Sequence, residues 1–261
     1  MPFTARASCL QTMKNSPHLA FCSQDTTIMK TEIKLATTKN DLKVFIQLFY
    51  NLYRDSPYAI PYLYMDEVKT LSKDKNPAFD FCEMACFLAY QQGKPVGRIA
   101  AIINRRANEY WKKNAVRFGW FDFIDDPDVS QSLLKAVEQW GKDKGMTEIM
   151  GPLGFEDMDR EGMLVSGFET LSTMYVNYNY PYYPQHIEAA GGFKKDNDYV
   201  EYEIKVPEQA PEKMLKIAEM IGERYHLEVR KFSRDDLTTG GRGHELFNIL
   251  NITYKDLYGF S

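Results

Sequence analysis

Five charged residues crowd the stretch "FEDMDREGMLVSGFE": Glu156, Asp157, Asp159, Arg160 and Glu161. Four carboxylates around one arginine suit either of two tasks. They bind a cationic amine substrate, or they fix the segment through an internal ion pair. A second group lies in "FDFIDDPDVSQSLLKAVEQW", residues 121–140, which reads as a strand, a short turn and an amphipathic helix. At such junctions the first helical N–H groups are unpaired and often hold a phosphate. Phosphate-gripping turns usually carry glycines, which let the backbone come close. This turn has none, and sets Asp125, Asp126 and Asp128 where an anion would sit. Each like-charge pair at 4 Å is repelled by about 1 kcal/mol even in water. The junction is expected to hold a phosphate-bearing cofactor weakly.

Metal chemistry finds little support. The four cysteines stand at 9, 22, 82 and 86, and the four histidines at 18, 186, 226 and 244 are scattered. No ligand spacing for zinc emerges, so no metal is expected. Reduced, mostly buried thiols fit a cytoplasmic protein. A net charge of −4 and a pI near 5.7 give no nucleic-acid footprint and no polybasic membrane patch. No apolar run reaches the ~18 residues of a membrane span. Hydrophobic residues at 44% allow a sizeable core.

The positioning elements follow from periodicity. A strand at 32–36 precedes a helix whose Leu42, Phe45, Ile46, Phe49, Leu52 and Tyr53 share one face, with Asn40 as N-cap. A short helix is expected over 61–71, and "NPAFDF" as a loop. "ACFLAYQQGKPVGRIAAIIN" reads as a hairpin turning at Gly93, its second run, 96–103, apolar enough for a central strand covered on both faces. A strand over 116–124, a helix over 128–144 stopped by Gly145, and a strand at 147–152 come next. Residues 151–181 lose all period, yet are too aromatic for plain disorder; long irregular loops of this kind are usually functional. A short helix in "PQHIEAAGG" and a last strand, "YVEYEIKV", close the domain.

The expected organisation is a disordered leader over 1–29, an α/β domain over 30–207, and a connecting helix with the start of an incomplete repeat over 208–261. The repeat rests on "EIKLA…VFIQLFYNLYRD" set against "EVRKF…ELFNILNITYKD", where Tyr53-Arg54-Asp55 aligns with Tyr254-Lys255-Asp256. On that reading the natural polypeptide continues past Ser261.

The element order, with "GKPVGRIAAIIN", "FGWFDFID", "KDKGMTEIMGP" and "IEAAGGFKK", resembles the GNAT superfamily of acyl-CoA-dependent N-acyltransferases. With "GPLGFEDMDREGMLVSGFE" and "NYPYYP" it is most similar to a bacterial subgroup of tandem GNAT-like proteins. The resemblance covers about 30–207. It implies a GNAT-like mixed, mostly antiparallel central sheet flanked by helices, followed by the truncated second repeat. It also implies acyl (acetyl) transfer from acetyl-CoA or another acyl-CoA to a small-molecule amine. Backbone groups at Phe123 and Ile124 would receive the pantetheine, and Ser130 lies in the first turn of the cofactor-side helix. Asp122 becomes the candidate base for the amine, against the alternative of a strand-end carboxylate in solvent. Tyr183 becomes the candidate acid for the departing thiolate, against aromatic packing. The sequence departs from the family at the turn "DDPDVSQS", where a glycine-bearing pyrophosphate loop is replaced by acidic residues, and at Glu188, where the family often has its tyrosine. Two further readings stay open: a Fem-type aminoacyl transferase, and a GNAT-shaped binding protein without chemistry. Arg105 and Arg106, just after the central strand, either meet phosphate or form an exposed pair.

Overall fold

The computed structural model describes residues 30–257 and Phe260, so the expected leader lies outside the described residues. These residues fall into two compact units, one running to Val200 and the other from Glu201 onward.

The first unit is a five-stranded sheet in the order β1-β2-β3-β4-β5. The strands are β1 (Glu32–Leu35), β2 (Cys82–Gln91), β3 (Lys94–Asn104), β4 (Ala115–Phe123) and β5 (Glu148–Met150). All pairings are antiparallel except β4–β5. Helix α1 (Lys39–Leu52) follows β1, and α2 (Tyr64–Thr70) follows α1. A short α3 (Arg105–Tyr110) separates β3 from β4, α4 (Pro127–Asp143) joins β4 to β5, and α5 (Tyr183–Ala190) follows the long loop. The mixed, mostly antiparallel sheet flanked by helices that the resemblance implies is the one found.

Local chemistry explains the main elements. β2 and β3 join through Gln92 and Gly93, both at positive φ (51° and 75°), the backbone of a tight two-residue hairpin. Ile99 to Ile103 are at most 1% exposed, because β3 lies between β2 and β4 with helices over both faces. Alternate β3 residues serve different clusters: Ile99, Ala101 and Ile103 join Val129, Leu133 and Val137 of α4, whereas Ala100 joins Phe45, Ile46 and Leu48 of α1. The α1 cap is Thr38 rather than Asn40. Its hydroxyl accepts from Asp41 N while the Asp41 carboxylate accepts from Thr38 N, a capping box.

Several expectations need correction. "NPAFDF" contains a 3₁₀ turn, Pro77–Asp80, capped by Asn76. β5 is only three residues long. The stretch 199–206 forms no strand, and Tyr202, Ile204 and Val206 are exposed. Alternating apolar residues state which face a strand would bury; they do not supply the partner a ladder needs.

The second unit holds α6 (Glu212–Tyr225), α7 (Arg234–Thr238) and α8 (Arg242–Tyr254), with no buried residue in any of them. The strand expected at "EVRKF" is absent. Among the described residues no helix is long and apolar enough to cross a membrane.

Candidate functional site

β4 and β5 pair for three residues only, Ala115–Arg117 with Glu148–Met150. Leu153 N then donates to Phe118 O at 2.8 Å, and the chains part. Just beyond, the β3–β4 register slips by one residue between the Arg98–Asp122 and Ala100–Gly119 pairs. Trp120 takes a positive φ of 47° there, an unusual conformation for an aromatic residue. Bulges of this kind re-aim side chains and recur beside active sites. At Gly119 a Cβ would lie 2.5 Å from Leu153 O, so only glycine permits the loop to come this near.

Over the bulge lies a cavity of about 260 Å3. Its floor is Arg98, Trp120, Asp122 and Tyr183; one wall is Tyr62 and Glu67; the irregular loop, with Arg160 and Asn179, forms the roof. Side chains rather than a ladder hold that loop. Asn179 pairs with the Leu164 backbone through both N–H and C=O, at 2.7 and 3.1 Å. Asn177 donates to Gly162 O and accepts from the Tyr62 hydroxyl. Such closed pairing satisfies backbone groups that a long loop would otherwise leave unpaired.

Of the charged cluster, three members have internal roles. Asp159 accepts from Phe155 N at 2.7 Å, and burial pushes its carboxyl pKa up despite that bond. Arg160 stacks 3.4 Å over the Tyr62 ring, donates to Met174 O and lies 3.7 Å from Glu67. Glu161 accepts from the Tyr199 hydroxyl at 2.6 Å. Glu156 is exposed, and Asp157 is half-buried. Asp159 and Arg160 line the cavity, whereas Glu156, Asp157 and Glu161 do not.

Asp122 is no solvent-facing strand end. It is 6% exposed, and its Oδ2 accepts from Arg98 Nε and faces Arg98 Nη2, both at 2.7 Å. Arg98, 1% exposed, also donates from Nη1 to Phe45 O at 2.9 Å, while its Nη2 finds no well-aligned acceptor. Burial works against the Arg98 charge, but Asp122 and Glu67 outweigh it and raise its pKa. The other Asp122 oxygen accepts from Tyr53 Oη at 3.1 Å, and Tyr53 Oη lies 2.7 Å from Tyr183 Oη. Burial first, and then neighbouring negative charge, pushes the Tyr53 and Tyr183 hydroxyls well above the ordinary tyrosine range.

The expected pantetheine groups are taken within the chain. Phe123 N donates to Tyr183 Oη at 3.1 Å, and Phe123 O accepts from Tyr182 Oη. Ile124 N donates to Val96 O at 3.0 Å. Ser130 is fully buried; its hydroxyl bonds His186 Nδ1 at 2.7 Å, and His186 Nε2 meets Asp125 at 2.9 Å. These residues resemble a nucleophile–histidine–carboxylate set, but the serine is sealed off and the carboxylate is the exposed end. Their effect is to fasten α5 to the start of α4. At the turn itself, Asp126 caps α4 by accepting from Asp128 N and also accepts from Gln91, and Asp128 accepts from Thr31 N. The Asp128 amide of the turn is thus capped from within the chain, with three carboxylates around it.

Arg105 pairs with Glu83, and Arg106 covers the Phe81 ring at 4.1 Å. Cys82 and Cys86 are buried free thiols, their pKa values pushed up to about 12 by burial. Among the described residues no group of three or more His, Cys, Asp or Glu is placed to hold a metal.

Sequence reasoning passed over Arg98, Tyr53 and Glu67. Arg98 had a signal, as the one charge inside the otherwise apolar run "VGRIAAIIN". Tyr53 was counted with the apolar face of α1, and nothing in the periodicity marks its hydroxyl.

No family model matches the chain. It is 36% identical over 162 residues to Protein YghO of Escherichia coli (strain K12), covering 62% of this chain and 41% of that protein. It is 28% identical over 229 residues to Bacterial ceramide synthase of Caulobacter vibrioides (strain NA1000 / CB15N), covering 86% of this chain and 58% of that protein. The chain thus spans about half the length of these curated relatives. Among solved structures, an aminoglycoside acetyltransferase, meta-AAC0020 from an uncultured soil metagenomic sample, in complex with sisomicin, aligns with 68% of this chain and 97% of its own. The TM-score is 0.39 at 14% identity. FeeM, an N-acyl amino acid synthase from uncultured soil microbes, aligns with 49% of this chain and 74% of its own, with a TM-score of 0.33 at 12% identity.

Proposed function

We propose that the unit ending at Val200 carries out N-acyl transfer, joining an activated acyl group to an amine held in the cavity above the β4 bulge. The observation that carries this reading is the cavity itself. Its floor and wall set Asp122 and Glu67, both at most 6% exposed, beside a tyrosine hydroxyl network. Buried carboxylates with aromatic walls suit a protonated amine. The likeness to a relative named as a ceramide synthase, spread over 86% of the chain, supports amide formation as the reaction class.

In this reading Glu67 attracts the ammonium group, and Asp122 with Tyr183 handles its proton. Arg160, stacked on Tyr62, shapes the roof rather than binding substrate. The turn at 125–130 is a degenerate pyrophosphate loop, so the acyl donor is not gripped there. Acetyl-CoA and longer acyl-CoAs remain the donors to test first, on the strength of the GNAT resemblance.

A second reading, a binding protein without chemistry, draws on one observation: Tyr182 and Tyr183 already occupy the Phe123 backbone. The two are separated by incubating the chain with acetyl-CoA, longer acyl-CoAs or desulfo-CoA and a panel of primary amines. Mass spectrometry detects any amide, and thermal shift detects ligand binding. Amide formed from an acyl-CoA faster with the chain than without it supports acyl transfer. Amine binding with no amide from any donor favours the binding protein.

A further inference from the structure

The bulge in β4 decides which face of the sheet its residues serve. Along a regular strand successive side chains alternate between faces. Val116 and Phe118 pack in the cluster that holds Val129 and Leu133 of α4, so unbroken alternation would send Trp120 and Asp122 there too. The extra residue shifts the phase by one, and Phe121 and Phe123 take that face instead. Trp120 packs against the α1 cluster of Phe45, Ile46 and Leu48, and its Nε1 donates to Glu67 Oε2, on α2, at 2.8 Å. The positive φ at Trp120 is a strained conformation that persists only where the surroundings hold it. Glu67 is 6% exposed and lines the cavity. Its Oε1 lies 3.7 Å from Arg160 Nη1, beyond hydrogen-bond reach. Among the described residues, Arg98 Nη2 is the one side-chain polar atom both sealed from solvent and unpaired. Glu67 Oε1 is unpaired but not sealed, so it touches open space, and the space that Glu67 lines is the cavity.

We infer that Trp120 is the positioning residue of the amine site: its indole N–H, re-aimed by the bulge, holds one oxygen of Glu67 so that the other, Oε1, meets the ammonium group of a ligand. This rests on the amine-site reading above and deepens it. A carboxylate free to rotate would have to be ordered when the amine binds, at a cost in side-chain entropy. The indole orders it beforehand, and Trp120 needs no contact with the amine to do so. Phenylalanine at this position keeps a ring and the same backbone demand but has no N–H to donate.

The test uses the full chain at neutral pH and n-butylamine, which is protonated there like a lysine side chain, with affinity read by NMR titration. Glu67→Gln removes the charge and should weaken binding about tenfold or more, the scale of one hydrogen bond to a charged group. Trp120→Phe should weaken it about threefold or more. The double variant separates positioning from packing. If Trp120 acts through Glu67, adding W120F to E67Q should change the affinity by less than about twofold. A W120F loss at least as large in the E67Q background as in the wild type, or no loss in the wild type, overturns the inference but leaves the amine site standing. An E67Q variant that binds as tightly as the wild type, or a wild type that does not bind, overturns both. Should W120F fail to fold, the indole N–H resonances decide, the chain having three tryptophans. The Trp120 signal is the one that survives Trp111→Phe and Trp140→Phe. Butylamine should shift it, and E67Q should cut that shift severalfold at the same concentration. An unmoved signal, or an equal shift in E67Q, refutes the inference.

Discussion

The Arg98–Asp122 pair offers the sharpest stability prediction. Asp122→Asn keeps the side-chain shape but removes the charge: the amide oxygen can still face Arg98, but the guanidinium loses its counter-charge and an N–H replaces the oxygen that accepts from the Tyr53 hydroxyl. The two side chains are 1% and 9% exposed, so water cannot make up the loss. Exposed ion pairs contribute at most about 1 kcal/mol. Removing one partner of a buried pair costs about 3–5 kcal/mol, because the other charge is left uncompensated. For a domain of 150–250 residues each kcal/mol lowers Tm by about 2–4 °C, so D122N should melt about 6–20 °C lower. Urea unfolding followed through tryptophan fluorescence provides the free energy, with Trp120 two residues from the substitution. Removing both charges in Arg98→Met with Asp122→Leu should recover part of the loss, although Phe45 O and the Tyr53 hydroxyl then lose partners. A single D122N loss below about 1 kcal/mol would refute the claim that this pair is buried and mutually dependent.

Other outcomes follow from the same geometry. Tyr53 and Tyr183 have folded-state pKa values above the ordinary value of 10, so the folded state binds more protons than the unfolded state above that pH. Stability is therefore fully present below about pH 10 and falls as pH rises beyond it; Tyr183→Phe should make the fall shallower by about 1.4 kcal/mol per pH unit, read from urea midpoints. Gly119→Ala drives a Cβ into Leu153 O and should cost about 1–3 kcal/mol while shifting Trp120 fluorescence. Desulfo-CoA should bind only weakly in calorimetry, and Asp125→Asn combined with Asp126→Asn and Asp128→Asn should strengthen that binding; unchanged or weaker affinity in the triple variant would count against a phosphate site at the turn. Limited proteolysis should cut within 208–245, where no residue is buried, before it cuts the sheet.

What could be read in advance was the part of the fold that periodicity controls. The doubly covered run at 96–103, its Gly93 turn and the α4 face of Leu133, Leu134 and Val137 all depend on local patterns of apolar residues, and each stands where those patterns put it. The alternation over 199–206 misled, because pairing is a property of two segments and one segment's pattern cannot provide it. At the site, Asp122 and Tyr183 were singled out through the family resemblance, and both line the cavity. Their partners were hidden for a different reason. Tyr53, on α1, meets Asp122, on β4, across 69 residues, and its hydroxyl lies on a ring that serves equally well as core. The β4 bulge was hidden too, since nothing local to "FGWFDF" fixes which residue takes the positive φ.

The central claim is that the cavity over the β4 bulge holds an amine. Hydrogen–deuterium exchange of the chain with and without a primary alkylamine tests it most directly. The account predicts added protection at 118–123 and in the loop segments 158–163 and 174–179, with little change along β1 and β2. Protection confined to other segments, or none at amine concentrations that shift Tm, would contradict it.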